Sequence, residues 1–147
     1  MLKKKAHSGI TLIELLLVIT IIAILGATVV PVSTNLLQRH FLKNKTNELV
    51  NSLSTARLNA MLSKEDSQWG VKTTSTQMIL FKGSSYAGRD TAFDLVYDLP
   101  ATISVTEIEV VFSKLTGDPS QTLSVTVSSQ IDSKTITMNA VGVVNVN

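Results

Sequence analysis

The chain of 147 residues contains no cysteine. A disulfide framework, a zinc–thiolate site and a thiol nucleophile are therefore excluded. The absence does not fix a compartment, because an exported domain can fold without disulfides. Histidine is scarce too, with only His7 and His40 present. His7 lies in the N-terminal leader region, and His40 has no second ligand at the helical spacing i+4. No nucleophile–base arrangement can be assembled from this inventory. Serines abound, but none sits in a Gly-x-Ser-x-Gly elbow, and no phosphate loop occurs. These absences argue against an enzyme and imply neither cofactor nor metal. Asp90, Asp94 and Asp98 recur every four residues and raise the question of calcium. Such a cation needs six or more oxygens, and the intervening residues supply few, so the three read as solubilising acids.

Charge is sparse as well. Charged residues are 16% of the chain, and the net charge is +2. Lys3, Lys4 and Lys5 account for that sign, and the chain without residues 1–9 carries −1. Phosphate binding needs several cations on one surface. Nucleic acid is accordingly not an expected partner of the body.

What the chain does have is a long apolar run. From Ile10 to Val32 the only ionisable residue is Glu14. These residues would form a helix of about 34 Å at 1.5 Å per residue, enough to cross a hydrocarbon core of about 30 Å. The lysines before it predict a cytoplasmic N-terminus and an extracytoplasmic body. An ordinary secretory signal peptide is a poor fit. The run is too long, it carries an acid near its start, and no small-x-small cleavage site ends it. A simple signal anchor accounts for the length but not for Glu14. A carboxylate in a membrane helix is costly and usually has a partner. Cleavage between Gly9 and Ile10 would create one, an α-amino group four residues before Glu14 and on the same face. In apolar surroundings that pairing is strongly favoured over leaving either charge alone.

The basic leader, Gly9 and then Ile10-Thr11-Leu12-Ile13-Glu14-Leu15 resembles the prepilin signature of type IV pilins and type II secretion pseudopilins. The resemblance covers roughly the first 25 residues, and Ile10 stands where the family usually has phenylalanine. It implies cleavage after Gly9 by a prepilin peptidase on the cytoplasmic side and N-methylation of Ile10. It also implies packing of the helices into a filament core, where Glu14 meets the amine of an adjacent subunit. Gly26 and Pro31 extend the resemblance, since the segment between such positions often kinks or unwinds. Both residues weaken a helix on physical grounds alone, although Pro31 can equally mark the membrane exit. The implied partners are other pilin or pseudopilin subunits, the peptidase, an inner-membrane assembly platform and the lipid bilayer.

Beyond the membrane run, Leu42, Leu49, Leu53, Ala56 and Ala60 fall at helical spacing, with polar residues between them. The helix should therefore continue as an amphipathic one to about Met61. Glycine, serine and threonine then punctuate strand-like alternation. Trp69–Lys72 and Gln77–Lys82 read as a hairpin. Thr122–Ser128, Thr135–Asn139 and Val144–Asn147 also alternate. Ile103 and Val105 share one parity while Ile108, Val110 and Phe112 share the other, which predicts a bulge or bend near Glu107. Residues 83–89 read as a loop and 116–119 as a turn.

The expected fold is α+β: a long N-terminal α-helix, half membrane and half amphipathic, packed on a C-terminal antiparallel β-sheet domain, as in the pilin fold. The sheet should hold about five to seven strands, one face on the helix and the other polar. The expected divisions are a leader at 1–9, a membrane or filament-core helix at 10–32, an extracytoplasmic helix at 33–62 and a sheet domain at 63–147. Within the family, Thr55-Ala56-Arg57-Leu58-Asn59-Ala60 and the closing segment resemble H-type pseudopilins and FimT-like minor pilins. That resemblance implies a minor subunit supporting filament assembly and protein secretion, held in the cytoplasmic membrane and then in an extracytoplasmic filament. One alternative is a DNA-binding minor pilin of a competence pilus. In those relatives arginine follows a glycine in the closing strands, but here Val143 follows Gly142 and residues 141–147 carry no cation. A second alternative is a signal-anchored binding domain that never assembles.

Overall fold

The computed structural model describes residues 11–147, without the side chains of residues 27–34. The chain forms two compact units, Met1–Leu36 and Leu37–Asn147. Helix α1 (Leu12–Met61) contributes to both. In the second unit it is followed by a short 3-10 turn (Lys64–Asp66) and eight strands. These are β1 (Trp69–Thr73), β2 (Gln77–Lys82), β3 (Asp90–Asp98), β4 (Ser104–Val105), β5 (Glu109–Phe112), β6 (Leu123–Ser128), β7 (Ser133–Met138) and β8 (Val144–Val146). The α+β class matches the expectation.

The strands form two four-stranded antiparallel sheets, not one sheet of five to seven. The first runs β3-β2-β1-β5 and the second β4-β6-β7-β8. Both give their inner residues to a single core around the helix. Leu42, Leu49, Leu53, Ala56 and Ala60 meet Val71, Leu80 and Phe112 from the first sheet and Val125, Val127 and Ile136 from the second. Between Leu42 and Leu49 the buried stripe is completed by a polar residue, Thr46. Its hydroxyl donates back to the Leu42 carbonyl at 2.8 Å, so this polar group is not left bare in the core.

The parity change near Glu107 is where the chain leaves the second sheet after Val105 and enters the first at Glu109. One buried hydroxyl pins this crossing. Thr73 Oγ1 donates to the Thr106 carbonyl at 2.7 Å and accepts from the Ile108 amide at 2.9 Å. Thr73→Val keeps the shape but strands both backbone groups. It should cost about 2–3 kcal/mol, since an unmet buried group costs about 1–3 kcal/mol. Urea unfolding of Thr73→Val against Thr73→Ser checks this; equal midpoints for the two would show that the hydroxyl carries no weight.

The helix end has its own signature. Ser63 takes the left-handed conformation (φ 49°, ψ 36°) that usually falls to glycine at this position. Its amide donates to Ala60 O at 3.0 Å, and Leu115 N reaches the same carbonyl at 2.9 Å from the turn after β5. The Ser63 hydroxyl is buried with no hydrogen-bond partner. Ser63→Gly relieves both the conformation and the hydroxyl, and it should raise stability by about 1 kcal/mol. A lower melting temperature for this variant would refute that reading. The following turn is tied down by an ion pair between Lys114 and Asp66. The hydrogen bond from Lys114, together with its charge, holds the Asp66 carboxyl below its ordinary value. Its contribution is present above the unfolded aspartate pKa and is lost as pH falls through the lower folded value.

The outer face of the first sheet departs from expectation in part: it carries the Lys72–Glu109 pair but also an apolar centre. Ile79 and Phe81 point away from the helix, yet both are buried. Phe81 pairs with Gly70 across the strands. A side chain at Gly70 would place its Cβ 2.5 Å from Phe81 Cζ and 2.6 Å from Val110 O. Glycine is required there by the ring lying over the backbone. The 83–89 loop folds back over this face. Tyr86 meets Phe81 edge-on at 5.7 Å, and its amide donates to Glu109 Oε1 at 2.8 Å. The Arg89 guanidinium lies 3.8 Å over the Tyr86 ring and donates to Asp94 Oδ2 at 2.8 Å. The hydrogen bond to Asp94 raises the Arg89 pKa above its ordinary value, so the group stays charged. The result is a second, smaller apolar cluster under a polar lid.

Candidate functional site

The segment that carries the functional expectation is the start of α1. Thr11 precedes the helix, and its Oγ1 accepts from the Glu14 amide at 3.3 Å while its carbonyl accepts from Leu15 N at 3.1 Å. Thr11-Leu12-Ile13-Glu14 therefore forms the first half of a capping box, with Glu14 at the third helical position. A carboxylate there also lies in the first turn, where the partial positive charge of the helix end favours it. The capping role was readable in the Thr-x-x-Glu spacing.

Every described side chain from Thr11 to Gly26 is exposed. Eleven of them are large and apolar, from Leu12 at 80% exposure to Leu25 at 60%. They point to all sides, so no single neighbouring face could cover them. The polar groups of the segment are nearly all used up internally. Thr20 turns its hydroxyl onto Leu16 O at 3.0 Å and Leu17 O at 2.8 Å. Glu14 is the sole ionisable residue from 11 to 26, and its carboxylate forms no ion pair among the described residues. Among the described residues no helix is long and apolar enough to cross a membrane. The expected span at 10–32 lies partly outside them.

Gly9 and Ile10, the expected cleavage and methylation positions, also lie outside the described residues. Gly26 falls within α1, and a Cβ there would meet open space. Pro31 falls within the bounds of α1, but its side chain is outside the described residues. The structure thus brings Thr11 and Glu14 together.

In the body, each of the three spaced aspartates has a protein partner. Asp90 faces Lys82 at 3.5 Å, Asp94 faces Arg89 at 2.8 Å, and Asp98 accepts from Gln77 at 3.0 Å. Among the described residues no group of three or more metal-ligating side chains forms. The Ala56-Arg57-Leu58-Asn59-Ala60 stretch has a packing role. Ala56 and Ala60 are fully buried against the core, and Arg57 Nε donates to Gly117 O at 3.2 Å. Gly142 lies beneath that side chain at φ +80°, where a Cβ would come 2.7 Å from Arg57 Nε. Arg57 and Gly142 also line a cavity of about 410 Å³ beside α1.

Comparison with known families matches residues 4–30 to the prokaryotic N-terminal methylation motif. The match encloses Gly9, Ile10, Glu14 and Gly26 and supports a type IV pilin-like family. Comparison with curated proteins and with solved structures finds no match.

Proposed function

We propose that this chain is a structural subunit of a type IV pilus or type II secretion pseudopilus, made as a prepilin. The observation that carries the reading is the exposed, all-round apolar helix at 11–26 with one acid in its first turn, inside the matched motif. Such a surface needs lipid or other helices as its cover. Cleavage after Gly9 leaves the Ile10 amine, methylated, next to the Thr11 cap. Glu14 pairs with that amine or, in the filament, with the amine of a neighbouring subunit. Before assembly residues 10–32 anchor the chain in the cytoplasmic membrane with residues 1–9 inside and the body outside. Gly26 and Pro31 let the helix bend or unwind as subunits pack.

The finer assignment is a minor, H-type subunit that supports assembly and secretion. It is supported by the Ala56–Ala60 stretch and the closing strands, together with the buried role of the two alanines. The test is to shear cells that carry the secretion or pilus machinery and probe the filament fraction for this chain. A minor subunit should be present there at a small fraction of the main subunit. Its complete absence from the filament fraction, with normal levels in the membrane, would overturn the proposal.

A further inference from the structure

Cations and acids are segregated within the chain. Residues 33–62 carry four cations against one acid, whereas residues 63–147 carry six against nine. Three cations converge at one end of the body. Arg39 and Lys43 lie one turn apart on α1, and Lys134 sits at the start of β7 on the strand face that further along buries Ile136 and Met138. Together they line a cavity of about 400 Å³ floored by Leu42 and Val146. Among the described residues none of the three has an ion-pair partner, in contrast to nearby Lys45, which holds Glu48 at 2.7 Å. The one carboxylate of the cavity, Asp132, is engaged in its own turn through the Ser133 amide at 2.8 Å. One exposed apolar side chain adjoins this basic groove: Ile131 at the β6–β7 turn, next to Asp132, is 41% exposed.

We infer that this end of the body docks on an anionic phospholipid surface before assembly, with Arg39, Lys43 and Lys134 on the headgroup phosphates. The inference rests on the membrane-anchored reading above. Three unpaired cations on one groove, beside an exposed isoleucine, form a surface that suits anionic headgroups. Arg39 follows the apolar run by only seven residues. Each cation near such a surface contributes roughly a fivefold gain in association, and salt screens it. Docking would hold the body down until a neighbouring subunit replaces the lipid.

The test places the full chain in lipid nanodiscs of phosphatidylcholine alone or mixed with phosphatidylglycerol. Acetylation rates of individual lysines are read by mass spectrometry. Lys43 and Lys134 should react several-fold more slowly in the anionic discs, while exposed Lys64 is unchanged. High salt or Arg39→Gln should remove most of that protection. Equal rates for Lys43 and Lys134 in the two lipids overturn the inference and leave the anchor intact. Protection of equal size in both lipids points to a second copy of the chain and also overturns it. Protection by duplex DNA but not by anionic lipid overturns it in favour of nucleic acid. A chain that is not retained in either disc overturns the anchor reading itself and the docking with it.

Discussion

Glu14→Ala should reduce incorporation into filaments at least tenfold while leaving the membrane-bound pool unchanged. The reasoning is energetic. In the apolar filament core the Ile10 amine would face no carboxylate, and an unpaired buried charge costs about 3–5 kcal/mol. Each 1.4 kcal/mol is about tenfold in an equilibrium, so a residual effect after rearrangement is still large. Before assembly the cost is small, because Glu14 stands in the first turn of α1 and near the expected membrane edge. The structure supplies a competing account, in which Glu14 matters only as part of the helix cap. Thr11→Ala separates the two. It removes the bond to the Glu14 amide at 3.3 Å and keeps the carboxylate. A lost cap costs about 1 kcal/mol. Pairing predicts near-normal filaments for Thr11→Ala and almost none for Glu14→Ala or Glu14→Gln. Equal defects in Thr11→Ala and Glu14→Ala would favour capping.

Phe81→Ala should destabilise the body by about 3–5 kcal/mol, the usual cost of deleting a buried aromatic ring. The ring is fully buried although it lies on the face opposite the helix. It fills the space over Gly70 and supports Tyr86, and through Tyr86 the 83–89 lid. Gly70→Ala should be costly for the same reason, but less so in a Phe81→Ala background, where one of its two clashes is gone. The Val110 carbonyl remains 2.6 Å from the new Cβ, so the relief is partial. Chemical denaturation of the four members of this cycle measures the coupling. Leu95→Ala, at a position 52% exposed, serves as the control and should change stability by less than about 0.5 kcal/mol. Additive effects of Gly70→Ala and Phe81→Ala would show that the ring does not set the glycine.

These two regions also show what the sequence discloses and what it hides. The helix stripe at Leu42, Leu49, Leu53, Ala56 and Ala60 is legible because burial on one side of a helix leaves a 3.6-residue period. The β1–β2 hairpin and the strands near the C-terminus are legible because one side of each faces the core. The second sheet and the covered outer face are not legible from alternation. Alternation reports which residues share a side, not which sheet a strand joins. The signal for the outer face was present at Met78-Ile79-Leu80-Phe81, four apolar residues in a row. A continuous apolar run marks a strand buried on both sides. The parity change near Glu107 is visible, but only the strand pairing, β4 with β6 and β5 with β1, discloses that the chain changes sheets there. At the N-terminus the isolated acid in an apolar run was plain. The Thr-x-x-Glu cap around it was equally readable, and it adds a reason for the acid that the pairing argument alone does not contain.

The central claim is that Glu14 awaits an amine made by cutting the chain. The intact mass and N-terminal sequence of the protein from cells that own the peptidase test it most directly. The account predicts a mature chain that begins at Ile10, with one methyl group on its amine. A chain that still begins at Met1 in those cells would contradict it, because no amine would then stand beside Glu14.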